Sequence, residues 1–289
     1  MTGLRIIVAL AVSTVFLADA RADRPRAEPS SSSNSSERRT VDAAAAAVGP
    51  RSLSCGRTNR GRLSDPAVMP YRGKGFVIPQ PWRSRGLRYG TDELVGLLKR
   101  AAAKVTQVCP GAVLGIADLA KRYGGPAEHH RSHQSGRDAD LLYYAMGMRG
   151  KPFYPDKHMP VFRKNKRAHD CSSPEKRKRI ALRFFDVRAN WAFIKAVLTD
   201  DQVIVERVFM ATRIRDWLLA YAKKTGESRR LIRRARKTLM RPRDSRAHAD
   251  HMHLRIGCSK RDAVRGKCVD LEMRRGKRKR HGRWNGICR

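Results

Sequence analysis

Acidic residues are scarce in this 289-residue chain: 26 Asp and Glu stand against 63 Lys and Arg, a formal charge of +37. A field of that size favours anionic partners, among which nucleic acid, lipopolysaccharide and cell-wall polymers all qualify. No C-x-x-C pair occurs, which argues against a zinc finger or a thioredoxin-type site. No H-E-x-x-H occurs, which excludes the helical zinc-protease site. A Gly-rich phosphate loop is missing, and so is any internal repeat. After the first residues, no apolar run is long enough to span a membrane.

What is present begins at the N-terminus. Arg5 precedes the apolar stretch 6–17, which is short for a membrane span, and Ala18-Asp19-Ala20 and Ala20-Arg21-Ala22 are both small-x-small cleavage patterns. Residues 1–22 therefore read as a secretory signal peptide, and the mature protein is expected to be exported, without a transmembrane segment. Export weakens a reading as a chromosomal DNA-binding protein, and no aromatic residues interleave the basic runs Arg229-Arg230 and Arg233-Arg234. Six cysteines in an oxidising compartment favour disulfides. Cys258 and Cys268 are close enough to close a small loop, whereas the pairing of Cys55, Cys109, Cys171 and Cys288 stays open.

Composition divides the rest. Residues 23–50 are rich in Ser, Ala, Arg and Pro and read as a disordered linker. Residues 51–270 read as the folded domain, with 51–90 as an irregular wrap, and 271–289 as a basic tail carrying the run 274–280. Helical spacing of Leu94, Leu97, Leu98, Ala101 and Val105 follows Thr91 as N-cap. A second amphipathic helix over Val187, Trp191, Ile194 and Leu198 opens at Asp186, and helices are predicted over 213–224 and 229–239. Strands are predicted over 112–118, 138–144, 203–210 and 251–257. The mixture without regular βαβ units predicts an α+β fold.

Six of the nine histidines crowd into two windows, Glu128-His129-His130-Arg131-Ser132-His133 and His248-Ala249-Asp250-His251-Met252-His253. On a strand, Met252, Leu254 and Ile256 would face the core, leaving His251, His253 and Arg255 on the opposite, open face. Gly136 permits a tight turn that returns Asp140 towards His133. Two imidazoles and one carboxylate suit zinc, and three protein ligands leave a fourth position open, as in catalytic sites.

The runs Ser132-His133-Gln134-Ser135-Gly136-Arg137-Asp138-Ala139-Asp140 and His248-Ala249-Asp250-His251-Met252-His253-Leu254-Arg255 resemble the penicillin-insensitive murein endopeptidases, within the lysostaphin and D-Ala-D-Ala metallopeptidase superfamily. The resemblance spans roughly residues 50–270 and includes Gly124-Gly125. It implies a small antiparallel sheet flanked by helices, with a zinc ion on its open face held by His133, Asp140 and His253. It implies that His251 is the active-site histidine, and that His130 and His248 line the site. The chemistry it implies is hydrolysis of D-alanyl–meso-diaminopimelyl cross-links between peptidoglycan stem peptides in the periplasm. His248 or Asp250 would orient His251, and Arg255 is a candidate for a substrate carboxylate. Asp250 stands where dipeptidase relatives place a glutamate, which leaves the general base open between His251, His248 and Asp250. The resemblance also suggests a Cys55–Cys288 bridge, leaving Cys109 with Cys171. Anionic envelope polymers are expected partners and nucleic acid is not. Two alternatives remain: a zinc DD-carboxypeptidase or dipeptidase of the same superfamily, and a non-catalytic anion- or cell-wall-binding protein.

Overall fold

The computed structural model describes residues 51–169, 182–242 and 248–270. The signal segment, the linker and the basic tail lie outside the described residues.

Residues 51–90 depart from the irregular wrap that their composition predicts. Leu53–Arg57 (β1) and Arg60–Ser64 (β2) form an antiparallel hairpin, and Gln80–Arg83 (α1) is a single helical turn. The anchors of the hairpin are distant in sequence. The backbone N–H of Ser54 donates to Asp262 Oδ1 (2.9 Å), and Arg137, buried, donates to Ser54 Oγ (3.2 Å), the Ile256 carbonyl (3.2 Å) and Asp270 Oδ1 (2.8 Å). Such contacts leave no local sequence signal.

Asp92–Val108 (α2) begins at Thr91, whose side chain accepts from the Leu94 N–H. Its Leu94, Leu97, Leu98, Ala101 and Val105 are buried. Each such side chain, where large, contributes about 1.5–3 kcal/mol relative to exposure. The predicted strand over 112–118 shortens to Leu114–Gly115, which pairs in parallel with Phe76–Val77. Beyond it the chain runs beside Asp138–Leu142 (β3) without a full ladder: Ala117 N–H donates to the Asp140 carbonyl, and Asp140 N–H to the Asp118 carbonyl.

Val187–Leu198 (α3) is capped by Asp186, which accepts from the Ala189 N–H, and packs on α2. Then follow Val205–Phe209 (β4), Thr212–Lys224 (α4), Arg229–Thr238 (α5), Leu239–Met240 (β5), His251–Ile256 (β6) and Lys260–Arg265 (α6). The main sheet has the order β5-β4-β6-β3. The β4–β6 and β6–β3 pairs are antiparallel, but edge strand β5, which follows α4 and α5, is parallel to β4. The sheet is thus mixed at its edge. Ala139, Leu141, Met252, Leu254 and Ile256 join the helices in one hydrophobic cluster.

Cys258 and Cys268 form the disulfide that their spacing predicts. Cys55 is disulfide-bonded as well. Cys109 is instead a free thiol buried in the core at the end of α2, so the suggested Cys109–Cys171 bridge is corrected. Burial pushes its thiol pKa up, as for an apolar core residue. Cys171 and Cys288 lie outside the described residues.

Candidate metal centre

The strand register decides which polar groups meet. In β3–β6, His253 lies opposite Asp140 and Arg255 opposite Asp138, while Ala139 and Leu141 take the core side. The polar face is covered where an open face was expected: His253, Arg255, Asp138 and Asp140 are all buried. Gly136, with φ +72°, makes the turn into β3, and a Cβ there would stand 2.7 Å from the Leu63 side chain. His133 is held at φ +66°, a conformation unusual for a non-glycine residue, by its N–H bond to Asp138 Oδ2 (3.0 Å).

Around Asp140 the imidazoles converge. Its Oδ1 lies 3.0 Å from His253 Nδ1, 3.4 Å from His133 Nε2 and 3.7 Å from His251 Nε2. Its Oδ2 lies 3.5 Å from His130 Nδ1. The outer nitrogen of each ring is occupied by an acceptor. His133 Nδ1 meets the Leu119 carbonyl at 2.7 Å and His253 Nε2 meets Asp138 Oδ1 at 2.8 Å. His251 Nδ1 meets Asp250 Oδ1 at 2.9 Å and His130 Nε2 meets Asp118 Oδ2 at 3.0 Å. A carbonyl cannot donate, so His133 must carry its proton on Nδ1 and, when neutral, turn the Nε2 lone pair inward. In the other three rings the outer nitrogen meets the nearer carboxylate, Asp138, Asp250 or Asp118, which favours a proton there.

A carboxylate ringed by lone pairs is repulsive unless a cation sits among them. His133 Nε2 and Asp140 Oδ1 are both buried without a well-directed hydrogen bond, despite their short separation. Ligands about 2.0–2.1 Å from a shared tetrahedral zinc lie roughly 3.3–3.4 Å apart, close to the spacing seen here. The donor set therefore fits zinc. The ligand atoms of His130, His133 and Asp140 lie within 4.8 Å of one another, a group that could hold a metal ion. His253 adjoins it through Asp140.

Protonation is the competing way to relieve the cluster. Burial alone would lower the pKa of His253, but Asp138 and Asp140 outweigh it and push it up to about 9. Burial would raise the pKa of both aspartates. Arg255 and His253 hold Asp138 well below the carboxylate range, and His133, His251 and His253 do the same for Asp140.

A family model described as penicillin-insensitive murein endopeptidase matches residues 54–278. The chain belongs to this family. No curated protein matches it. As murein endopeptidases are peptidoglycan hydrolases, they point to an extracellular or periplasmic place of work. Among the described residues no helix is long and apolar enough to cross a membrane.

In the chain the predicted site residues His130, His133, Asp140, His251 and His253 come together, and Asp250 joins through His251. His248 packs its ring 4.6 Å from that of His251. His129 does not join them: it is exposed beside Glu128. Arg255 is tied to Asp138 at 2.7 Å and buried, so its guanidinium is joined to His253 through Asp138. Sequence reasoning missed three residues. Asp138 bridges His133, His253 and Arg255; Asp118 holds His130 and pairs with Arg85 (2.8 Å); Phe209 packs on His253 with ring centroids 5.5 Å apart. Only Asp138 had a local signal, since Asp-Ala-Asp alternation puts it on the face of Asp140.

Proposed function

We propose that this murein endopeptidase is a zinc enzyme that hydrolyses the D-alanyl–meso-diaminopimelyl cross-link, working in the periplasm after export through residues 1–22. The observation that supports it most is the convergence of four imidazole nitrogens on Asp140, each ring held from outside by an acceptor. His133, Asp140 and His253 would hold the ion, with His130 at its side. Zinc bound there supplies Lewis acidity to a peptide carbonyl and acidifies water.

The remaining residues handle protons. Asp250 fixes the proton of His251 on Nδ1 and leaves Nε2 facing the site. From there His251 takes a proton from the attacking water and delivers it to the leaving amine of the diaminopimelyl residue. His248 supports the ring by packing against it.

Digestion of purified cross-linked muropeptide dimers tests the bond. Mass spectrometry should show two monomers whose masses sum to the dimer plus one water. Release of a terminal D-alanine alone would replace the endopeptidase reading with a carboxypeptidase.

His251→Ala should retain the metal but lose about 10²–10⁴-fold in turnover, the usual contribution of one general acid–base group. Turnover near the native rate would move the base to Asp250 or His248.

A further inference from the structure

Helix α5 conflicts with local helix physics. Its ten residues carry Arg229, Arg230, Arg233, Arg234, Arg236 and Lys237 and no acid. At 100° per residue these six fall within an arc of roughly 160° and leave the other side to Leu231, Ile232 and Ala235. All six are exposed. Among the described residues, none has an ion-pair partner. Like charges three and four residues apart, such as Arg229 with Arg233 and Arg230 with Arg234, destabilise a helix. Arg229 and Arg230 also oppose the macrodipole in the first turn, where α2 carries Asp92 and Glu93. The nearest acid in sequence, Glu227, is engaged by Trp191 Nε1 (3.0 Å) and Lys195 Nζ (2.9 Å). A helix built against these preferences, with its cations gathered on one exposed face, is relieved by an external polyanion.

Its position is equally specific. α5 runs directly into edge strand β5, where Met240 pairs with Phe209 of β4, and Phe209 pairs with His253 of β6. With strands about 4.8 Å apart, the sheet edge that α5 feeds lies roughly 10 Å from the metal centre.

We propose that the arginine face of α5 is an anchoring surface for the carboxylate-bearing peptidoglycan of the intact sacculus, separate from the metal centre. The identity of the polymer rests on the peptidoglycan reading above. Stem peptides repeat free carboxylates along the glycan, and guanidinium groups pair with carboxylates in a two-pronged fork. A helix about 15 Å long can meet several at once. Weak contacts made together hold a polymer whose neighbouring cross-links then reach the site at high effective concentration.

The test compares two full-length variants. In one, Arg229, Arg230, Arg233, Arg234, Arg236 and Lys237 are all changed to Gln, which keeps stem length and helix propensity. In the other, six exposed cations elsewhere, Arg60, Arg62, Arg72, Lys74, Lys99 and Lys104, are changed likewise, an equal loss of charge. Co-sedimentation with purified sacculi should weaken by about tenfold or more for the α5 variant at low salt, and little for the other, because the loss is local multivalency and not net charge. Cleavage of sacculi should fall relative to cleavage of soluble dimers. A third variant with the five arginines changed to Lys keeps the charge and should keep most of the binding, which guards against misfolding as the cause. Equal losses in the two Gln variants, or unchanged sedimentation of the α5 variant, would overturn the proposal. So would loss of binding to duplex DNA or anionic vesicles with sacculus binding intact, since the occupant would then be a phosphate polymer. Native protein that sediments through α5 yet cannot cleave the dimer would leave the anchor standing and remove the endopeptidase reading.

Discussion

His133→Ala should lower the rate of cross-link cleavage by about a thousandfold or more, since a catalytic metal supplies several kcal/mol and each 1.36 kcal/mol is a decade of rate. The imidazole is fixed from outside by the Leu119 carbonyl and points its other nitrogen at Asp140, so its only inward task is to donate a lone pair. The protein should stay folded, because the lost contact is one hydrogen bond and one ring among many in a large core. Metal analysis should find the variant depleted. Equal metal loading in variant and native protein would mean that His130, Asp140 and His253 hold the ion without His133, and the ligand assignment would be wrong.

Asp138→Ala should have the largest effect on stability. Asp138 is wholly buried and joins three groups: Arg255 Nε at 2.7 Å, His253 Nε2 at 2.8 Å and the His133 N–H at 3.0 Å. Removing it leaves the buried Arg255 cation unpaired, which costs about 3–5 kcal/mol. For a domain of this size that lowers Tm by roughly 6–20 °C. The same carboxylate gives a pH signature. Its folded pKa lies well below the usual range, because Arg255 and His253 outweigh its burial. A depressed folded pKa contributes stability that is present above the unfolded value of about 3.9 and is lost as pH falls through the acid range. The native protein should lose more stability than Asp138→Ala as pH falls below about 4, and the two melting curves should draw together. A constant gap in Tm from neutral pH down to acid unfolding would show that the carboxylate charge carries none of the effect.

Much of this geometry is legible in the chain because it depends on period. Met252, Leu254 and Ile256 alternate with His251, His253 and Arg255, and the first three are the fully buried side of β6. Thr91 and Asp186 mark helix starts because each supplies a side-chain oxygen to a free N–H three residues on. What could not be read depends on pairing between distant segments. That Arg255 pairs with Asp138 follows from the β3–β6 register. That Asp118 backs His130 follows from the way 116–118 runs beside β3. The hairpin at 53–64 is anchored by Arg137 and Asp262, which reach it from far along the chain. The fate of Cys109 likewise depends on the core into which α2 turns it.

The inward-facing imidazoles and Asp140 are proposed to hold a catalytic zinc. The most direct measurement is zinc content together with cleavage of cross-linked muropeptide dimers, on one preparation, before and after a chelator and again after zinc is restored. About one zinc per chain is predicted, with cleavage lost on chelation and regained in proportion to zinc taken up. Full cleavage by protein shown to be metal-free would contradict it.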